Sequence, residues 1–396
     1  MITRRGFVAG AAASSLPLIG HASPLASPRA REVFSGSTIF IGQSAVRSGP
    51  SQMLGDEMAF GMQAAFAAVN RAGGVNGRQL ALKERDDGYE PNRCKDNTRA
   101  LIEENVFALA GFVGTPTCAA VLPMVHEAGV PFVGCFTGAE ALRQPRAGVF
   151  HIRASYSMEA RAIVSQFLAF GGGTKVAIVR QKDGYGDAVE AAVRAALDEV
   201  SLRPEVVAYV ERNSTDVSAA VDVIRKSGAT CVALGSVYAP IGQLMRELGP
   251  RSKAMMWASV SFVGTSGLQR AIRALREQRP NDDLGGGVGV CQVMPSPSQD
   301  PSKFVAGYQR AMRDLAQARG TPIDLSYGSL EGYASAMTVV EGIRRCGDNL
   351  SRQRFVDALE APIDLGGFVI PFSPSNHSPV KFTELTVVDS QGRLRR

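Results

Sequence analysis

The sequence predicts an α/β protein of two lobes, each built around a parallel sheet, joined by a hinge of three crossing segments. Short apolar runs alternate with stretches of helical spacing along most of the chain, the pattern of strand–helix–strand units whose strands lie parallel. With 396 residues the chain exceeds what one hydrophobic core ordinarily holds. The alternation restarts after residue 150, and Pro295, Pro297 and Pro301 mark an extended return.

Residues 37–94 set the pattern. An apolar run over 39–41 leads into a loop with Ser48, Gly49 and Pro50, and Met58, Met62, Ala65 and Val69 then recur at helical spacing. Gly73 and Gly74 stop that helix, because glycine accepts the left-handed conformation of helix C-termini, and Asn76-Gly77 adds a turn. Leu80 and Leu82 alternate with polar neighbours in a second strand, which Asp86-Asp87 and Glu90-Pro91 end. A third strand is expected over 106–113 and a fourth over 130–134, each followed by a loop of small hydroxyl residues and glycine that feeds a helix. In open parallel sheets, ligands bind at such loops.

This stretch resembles the type I periplasmic solute-binding proteins of ABC importers, in the leucine/isoleucine/valine-binding branch. The residues that carry the resemblance are SGP at 48–50, AGGVNGR at 72–78 and DDGYEP at 86–91, and the likeness extends over nearly everything after residue 36. It implies two Rossmann-like lobes that clamp a small molecule and deliver it to permease subunits of an importer. An alternative output of the same fold is a ligand sensor that docks on a membrane receptor.

The remaining elements fit two lobes. Residues 150–153 cross into a second lobe, with strands over 175–179, 206–210, 231–234, 255–259 and 288–293 and helices between them. Helices over 304–319, 330–345 and 350–359 return to the first lobe, and strands over 367–372 and 382–388 make the third crossing. The expected division is 36–153 with 295–372 for the first lobe and 154–294 with 373–396 for the second. Residues 1–26 read as an export leader, with Arg4-Arg5 ahead of a small-residue apolar core, and 27–35 as a flexible tether. The leader resembles a twin-arginine signal, against the alternative of an ordinary secretory leader; both place the protein in the periplasm.

Composition excludes several classes. Hydrophobic residues make up 45% and charged ones 20%, which suits a folded globular chain. No apolar run after the leader reaches the roughly 20 residues that span a bilayer, so an integral membrane protein is not expected. The net charge of +6 includes Arg4 and Arg5, and the rest is scattered apart from the 393–396 tail. With no basic helix face, zinc pattern or RNA-binding aromatic motif, no nucleic-acid partner is expected.

Six cysteines in an exported chain invite pairing. The resemblance places Cys94 and Cys118 where the family has a bridge, each displaced by about one helical turn; two buried free thiols are the competing reading. Cys135, Cys231, Cys291 and Cys346 fall in apolar segments and read as buried thiols.

Ser48, Thr115, Thr117 and Thr137 precede helix starts, where unpaired N–H groups and the helix dipole favour an anion; an ordinary helix cap is the plainer reading of each. The resemblance aligns Thr115 with the family's ligand-carboxylate serine and puts Phe136, Thr137 and Gly138 in its second binding loop, with Thr137 and Gly138 competing for one role. It matches Tyr185 to a tyrosine that covers the ligand, the alternative being a core tyrosine; Tyr238, which follows another strand, is a weaker candidate. Where amino-acid binders of the family carry an acidic partner for the ligand ammonium, this chain has Pro240. Leu54, Phe136, Val237 and Pro240 would make part of the cleft apolar. Glu331 either supplies a charge from the first lobe or is a solvated helix glutamate. A carboxylate-bearing or largely apolar small molecule is therefore expected in place of a plain α-amino acid.

Catalysis is not expected. His126, His151 and His377 form no HExxH or nucleophile setting, and the 285–289 glycine run precedes a strand where a dinucleotide fingerprint must follow one. No cofactor or metal is expected.

Overall fold

The computed structural model describes residues 32–143, 148–171, 174–278 and 287–396. The expected leader, the tether up to residue 31 and Gly285-Gly286 of the glycine run lie outside them.

The first sheet is parallel throughout. β1 (Thr38–Ala45) lies between β2 (Gln79–Asp86) and β3 (Ala108–Ala110), and β4 (Phe132–Val133) and β5 (Val149–Phe150) complete the order β2-β1-β3-β4-β5. Its connections are α1 (Gln52–Arg71), α2 (Pro91–Glu103) and α3 (Thr115–Ala128). β3 and β4 are shorter than their apolar runs, because Gly111 and Gly134 take positive φ of 65° and 67° and turn the backbone out of the ladder. The residues beyond these glycines form the loops at the carboxyl ends of β3 and β4.

The second lobe holds α4 (Tyr156–Gly171), β6 (Val176–Gln181), α5 (Gly184–Asp198), β7 (Val206–Val210), α6 (Ser218–Lys226) and β8 (Cys231–Gly235). It continues with α7 (Tyr238–Leu248), the short α8 (Pro250–Lys253), β9 (Met256–Val260), α9 (Thr265–Gln278) and β10 (Val288–Gln292). β6 to β10 form a parallel core.

The chain then returns to pack α10 (Lys303–Arg319), α11 (Tyr327–Cys346) and α12 (Arg352–Leu359) on the first lobe. Residues 367–372 do not extend either lobe's sheet. Instead β11 (Ile363–Asp364) and β12 (Val369–Ile370) make a separate hairpin, whose turn is held by Asp364 accepting from the N–H of Gly366 and Gly367 at 2.8 and 2.7 Å. β13 (Glu384–Val388) and β14 (Leu394–Arg395) then add an antiparallel edge to the second sheet, giving β14-β13-β10-β9-β8-β6-β7.

The chain thus passes between the sheets three times, and residues just beyond the carboxyl ends of β4, β9 and β10 line one shared cleft. Buried side chains of the second lobe join Leu54, Tyr89 and Phe136 of the first in one continuous cluster, so the lobes are closed on each other. No helix among the described residues is long and apolar enough to cross a membrane.

A candidate ligand-binding cleft

Two hydroxyl loops of the first lobe meet at the cleft floor. Gly114, at φ 105°, lets the backbone turn tightly into α3 beside Tyr89, where a Cβ would lie 2.1 Å from the ring. The Oγ1 atoms of Thr115 and Thr137 are then 2.7 Å apart, and Thr137 donates to the Tyr156 hydroxyl at 3.4 Å and accepts from the Ala139 N–H at 3.2 Å. Gly138 closes this corner: its carbonyl accepts from the Tyr156 N–H at 2.8 Å, and a Cβ on it would press to 2.7 Å from the Tyr156 ring. Burial lifts the Tyr156 phenol to about 12, so it stays a donor.

The opposite wall is aromatic and comes largely from the second lobe. Asp183 caps α5 by accepting from the N–H groups of Tyr185 and Gly186 at 3.0 and 3.2 Å, which fixes Tyr185 at the cleft. Phe262, in the turn after β9, has ring centroids 4.7 Å from Tyr185, 5.3 Å from Phe136 and 6.2 Å from Tyr89. Tyr185 is fully buried and its hydroxyl has no partner. A buried phenol left unpaired is costly, which makes it a natural contact for a polar guest.

Beside the hydroxyls lies a buried ionic group. Arg153, on the first crossing, sits 3.4 Å from Glu159 of α4 and 3.4 Å from Glu331 of α11, donates to Ser261, and lies 5.1 Å over the Phe136 ring. All three charged side chains are essentially unexposed. Burial opposes the charge on Arg153, but Glu331 and Glu159 outweigh it and hold the guanidinium above its usual range. Burial also lifts Glu159, and it lifts Glu331 to about 7.

The fold brings together Thr115, Thr137, Gly138, Phe136, Tyr185 and Glu331. Leu54 packs from α1 toward Gly264, and Tyr238, whose hydroxyl accepts from the Met53 N–H at 3.4 Å, borders the same edge. Other expectations need correction. Ser48 is exposed and donates to Asp86 at 2.6 Å, at the surface. Thr117 turns its hydroxyl back to the carbonyls of Val113 and Gly114, serving its own helix. Glu331 is not a solvated glutamate, since Arg153 holds it inside.

The Cys94–Cys118 bridge is absent: both thiols are free and buried, Cys94 among Asp87, Ser44 and Thr98, Cys118 against Cys135. Arg153, Tyr156, Glu159 and Phe262 went unrecognised in the sequence, because an isolated charge or aromatic beside a strand carries no periodic signal. Among the described residues no group of three or more His, Cys, Asp or Glu is placed to hold a metal ion.

A family model described as "Periplasmic binding protein" matches residues 38–393. The chain is 28% identical over 313 residues to Leu/Ile/Val-binding protein homolog 3 of Brucella melitensis, covering 78% of this chain and 79% of that one. A possible leucine/isoleucine/valine-binding protein from Rhodopirellula baltica superposes with a TM-score of 0.81 at 29% identity, over 92% of this chain and 96% of that one. A branched chain amino acid ABC transporter protein from Thermus thermophilus with bound valine gives a TM-score of 0.78 at 18% identity, over 91% and 95% of the two chains, a likeness of fold. A family match running through both lobes, on two parallel cores facing one cleft, makes this chain a member of the periplasmic binding protein family, a type I solute-binding protein of the leucine/isoleucine/valine-binding branch.

Proposed function

We propose that the protein captures a small carboxylate-bearing molecule with an apolar body between its lobes and hands it to the permease of an ABC importer, with no bond made or broken. The lobes in this reading are 36–153 with 295–372, and 154–294 with 373–396, and the chain reaches the periplasm on a twin-arginine leader. Closure is driven by the ligand's higher affinity for the closed form.

The observation that carries the reading is the meeting of the Thr115, Thr137 and Tyr156 hydroxyls at the start of α3. The first-turn N–H groups of Thr115 and Thr117 have no partner within the helix, and the dipole there favours an anion. Phe136, Phe262 and Tyr185 would cover the apolar body. An α-amino acid would place its ammonium next to its carboxylate. The position that the family resemblance gives to an acidic partner is the buried Pro240, and the two carboxylates near the hydroxyls already face Arg153.

Calorimetric titration tests this, with mass spectrometry of ligand released from the purified protein. Aliphatic or aromatic carboxylates are expected to bind, and Thr137→Val to weaken them about 10- to 100-fold, the worth of one hydrogen bond to a charged group. Tight binding of leucine or valine with no response to carboxylic acids would overturn it.

A further inference from the structure

Past Phe136 and Ser261 the cleft continues into a cavity that the carboxylate reading leaves unused. Its walls include Glu57 from α1, Glu331 from α11, Thr265 from α9 and Gln292 from the end of β10. About 10 Å³ is open to the centre of a water-sized sphere, which is room for one water or one ammonium.

The charges around it do not balance. Three carboxyls, those of Glu331, Glu159 and Glu57, meet two guanidiniums: Arg153 lies between Glu331 and Glu159, all three of them buried, and Arg143 also acts on that pair. Arg270, the cation that acts on Glu57, is exposed and already paired with Asp324 at 3.3 Å. Burial lifts the carboxyls of Glu57 and Glu331 to about 7, only partly offset at Glu57 by hydrogen bonds from Ser266 and Ser326 and by Arg270, and at Glu331 by Arg153 and Arg143.

Gln292 is an independent observation. It is 1% exposed, and its Nε2 donates to Thr265 and Thr386, both at 3.0 Å. Because the Thr386 hydroxyl gives its own hydrogen to the Val290 carbonyl at 3.1 Å, it can only accept from Gln292. The amide is therefore fixed with nitrogen toward the threonines, and Oε1 is left as a buried acceptor with no partner. Two carboxylates and an unpaired amide oxygen on one water-sized space call for a compact group with several donors and a positive charge. A primary ammonium has three donors and one charge.

We propose that this cavity is a second subsite, which takes a primary ammonium group borne by the ligand at the end remote from its carboxylate. The inference rests on the carboxylate reading above and names the substrate class within it. The ligand is an amino acid whose amine and carboxylate are separated by several bonds, its chain lying along Phe136 between the two subsites.

The test is calorimetric titration of the purified protein at pH 8 with matched pairs: butanoate, pentanoate and hexanoate, and their ω-amino counterparts. At the best length the ω-amino compound is expected to bind at least about tenfold tighter than its plain acid, a gain typical of a charge-assisted hydrogen-bonded pair. Glu331→Gln and Glu57→Gln are each expected to bring that ratio down to about threefold or less by removing one charged acceptor. Should Glu331→Gln fail to fold, the Glu57→Gln ratio decides alone, since Glu57 lies on a partly exposed helix face. Plain acids binding as tightly as their ω-amino partners would overturn the subsite and leave the carboxylate reading standing. Binding of leucine with no response to either series would overturn both.

Discussion

Burial lifts the Glu331 carboxyl from 4.5 to about 7 and depresses the His151 imidazole from 6.5 to about 3. Between pH 7 and 4.5 the native Glu331, facing Arg153, Glu159 and Arg143, holds a proton that the unfolded chain does not, so its contribution to stability grows as pH falls. Between pH 6.5 and 3 the unfolded His151 takes up a proton that the native ring refuses, so its contribution shrinks as pH falls. At about 1.4 kcal/mol per pKa unit the two are on the order of 3 and 5 kcal/mol and oppose each other over most of the window. Glu57 and Asp87, lifted by burial to about 7 and about 6, add to the Glu331 side, so urea denaturation of ligand-free protein is expected to show stability rising from pH 7 to 4.5. Glu331→Gln is expected to fall behind the parent protein by roughly 3 kcal/mol over the same range. A variant profile parallel to that of the parent protein would show that Glu331 is already solvated. These are also the residues least legible in the sequence. Arg153 and Glu331 stand 178 positions apart, and no local pattern announces their ion pair. The threonines of the cleft were legible because each follows an apolar run and precedes a helix. The Cys94–Cys118 bridge came from the resemblance alone, and both thiols are free, although Cys94 is close enough to act on Cys118.

At the scale of elements, the first lobe depends on a close crossing of α1 and α11 that apolar periodicity could not reveal. A Cβ on Gly61 would lie 1.9 Å from the Ser329 carbonyl oxygen, and one on Gly332 would lie 2.1 Å from that of Met58. The two backbones therefore touch, and Glu57 and Glu331, on this same helix pair, reach the cavity together. The N-terminus of α11 is pinned at that point by the reciprocal Ser326–Ser329 cap and by the Tyr308 hydroxyl on Ser329 at 2.6 Å. Gly332→Ala must push the helices apart against backbone, and is expected to destabilise the protein by about 1–3 kcal/mol in chemical denaturation. An unchanged midpoint would mean that the crossing is looser than described. The strand order and helix order were legible from alternation, since parallel units repeat it. The hairpin at 363–370 was not, because a run such as 367–372 reads alike whether it joins a sheet or folds back on its neighbour.

At the scale of the molecule, the lobes are held shut by two kinds of contact that differ in strength. Phe262, backed by Tyr185, buries aromatic surface against Phe136 and Tyr89, and Arg153 joins Glu331 of one lobe to Glu159 and Ser261 of the other. At the rim, Glu90 of the first lobe meets Arg212 of the second at 2.6 Å, and the Asn213 side chain donates to Glu90 at 2.7 Å and to the Gly88 carbonyl at 3.0 Å. Partly exposed pairs of this kind contribute roughly 0–1 kcal/mol each, enough to bias an equilibrium between open and closed forms without locking it. A binding protein must open again to release its cargo, so a weak rim over a ligand-completed interior suits the cycle. Replacing Arg212 and Asn213 together with alanine is expected to weaken ligand binding about 3- to 10-fold, the effect of removing one to two such contacts from the closed form. Neither residue belongs to the proposed subsites, so the loss belongs in the dissociation rate, read by stopped flow, together with a larger radius of gyration for the ligand-free protein in solution scattering. A variant with slower association and unchanged release and size would instead place these side chains on the ligand's entry path and leave closure to the aromatic wall alone.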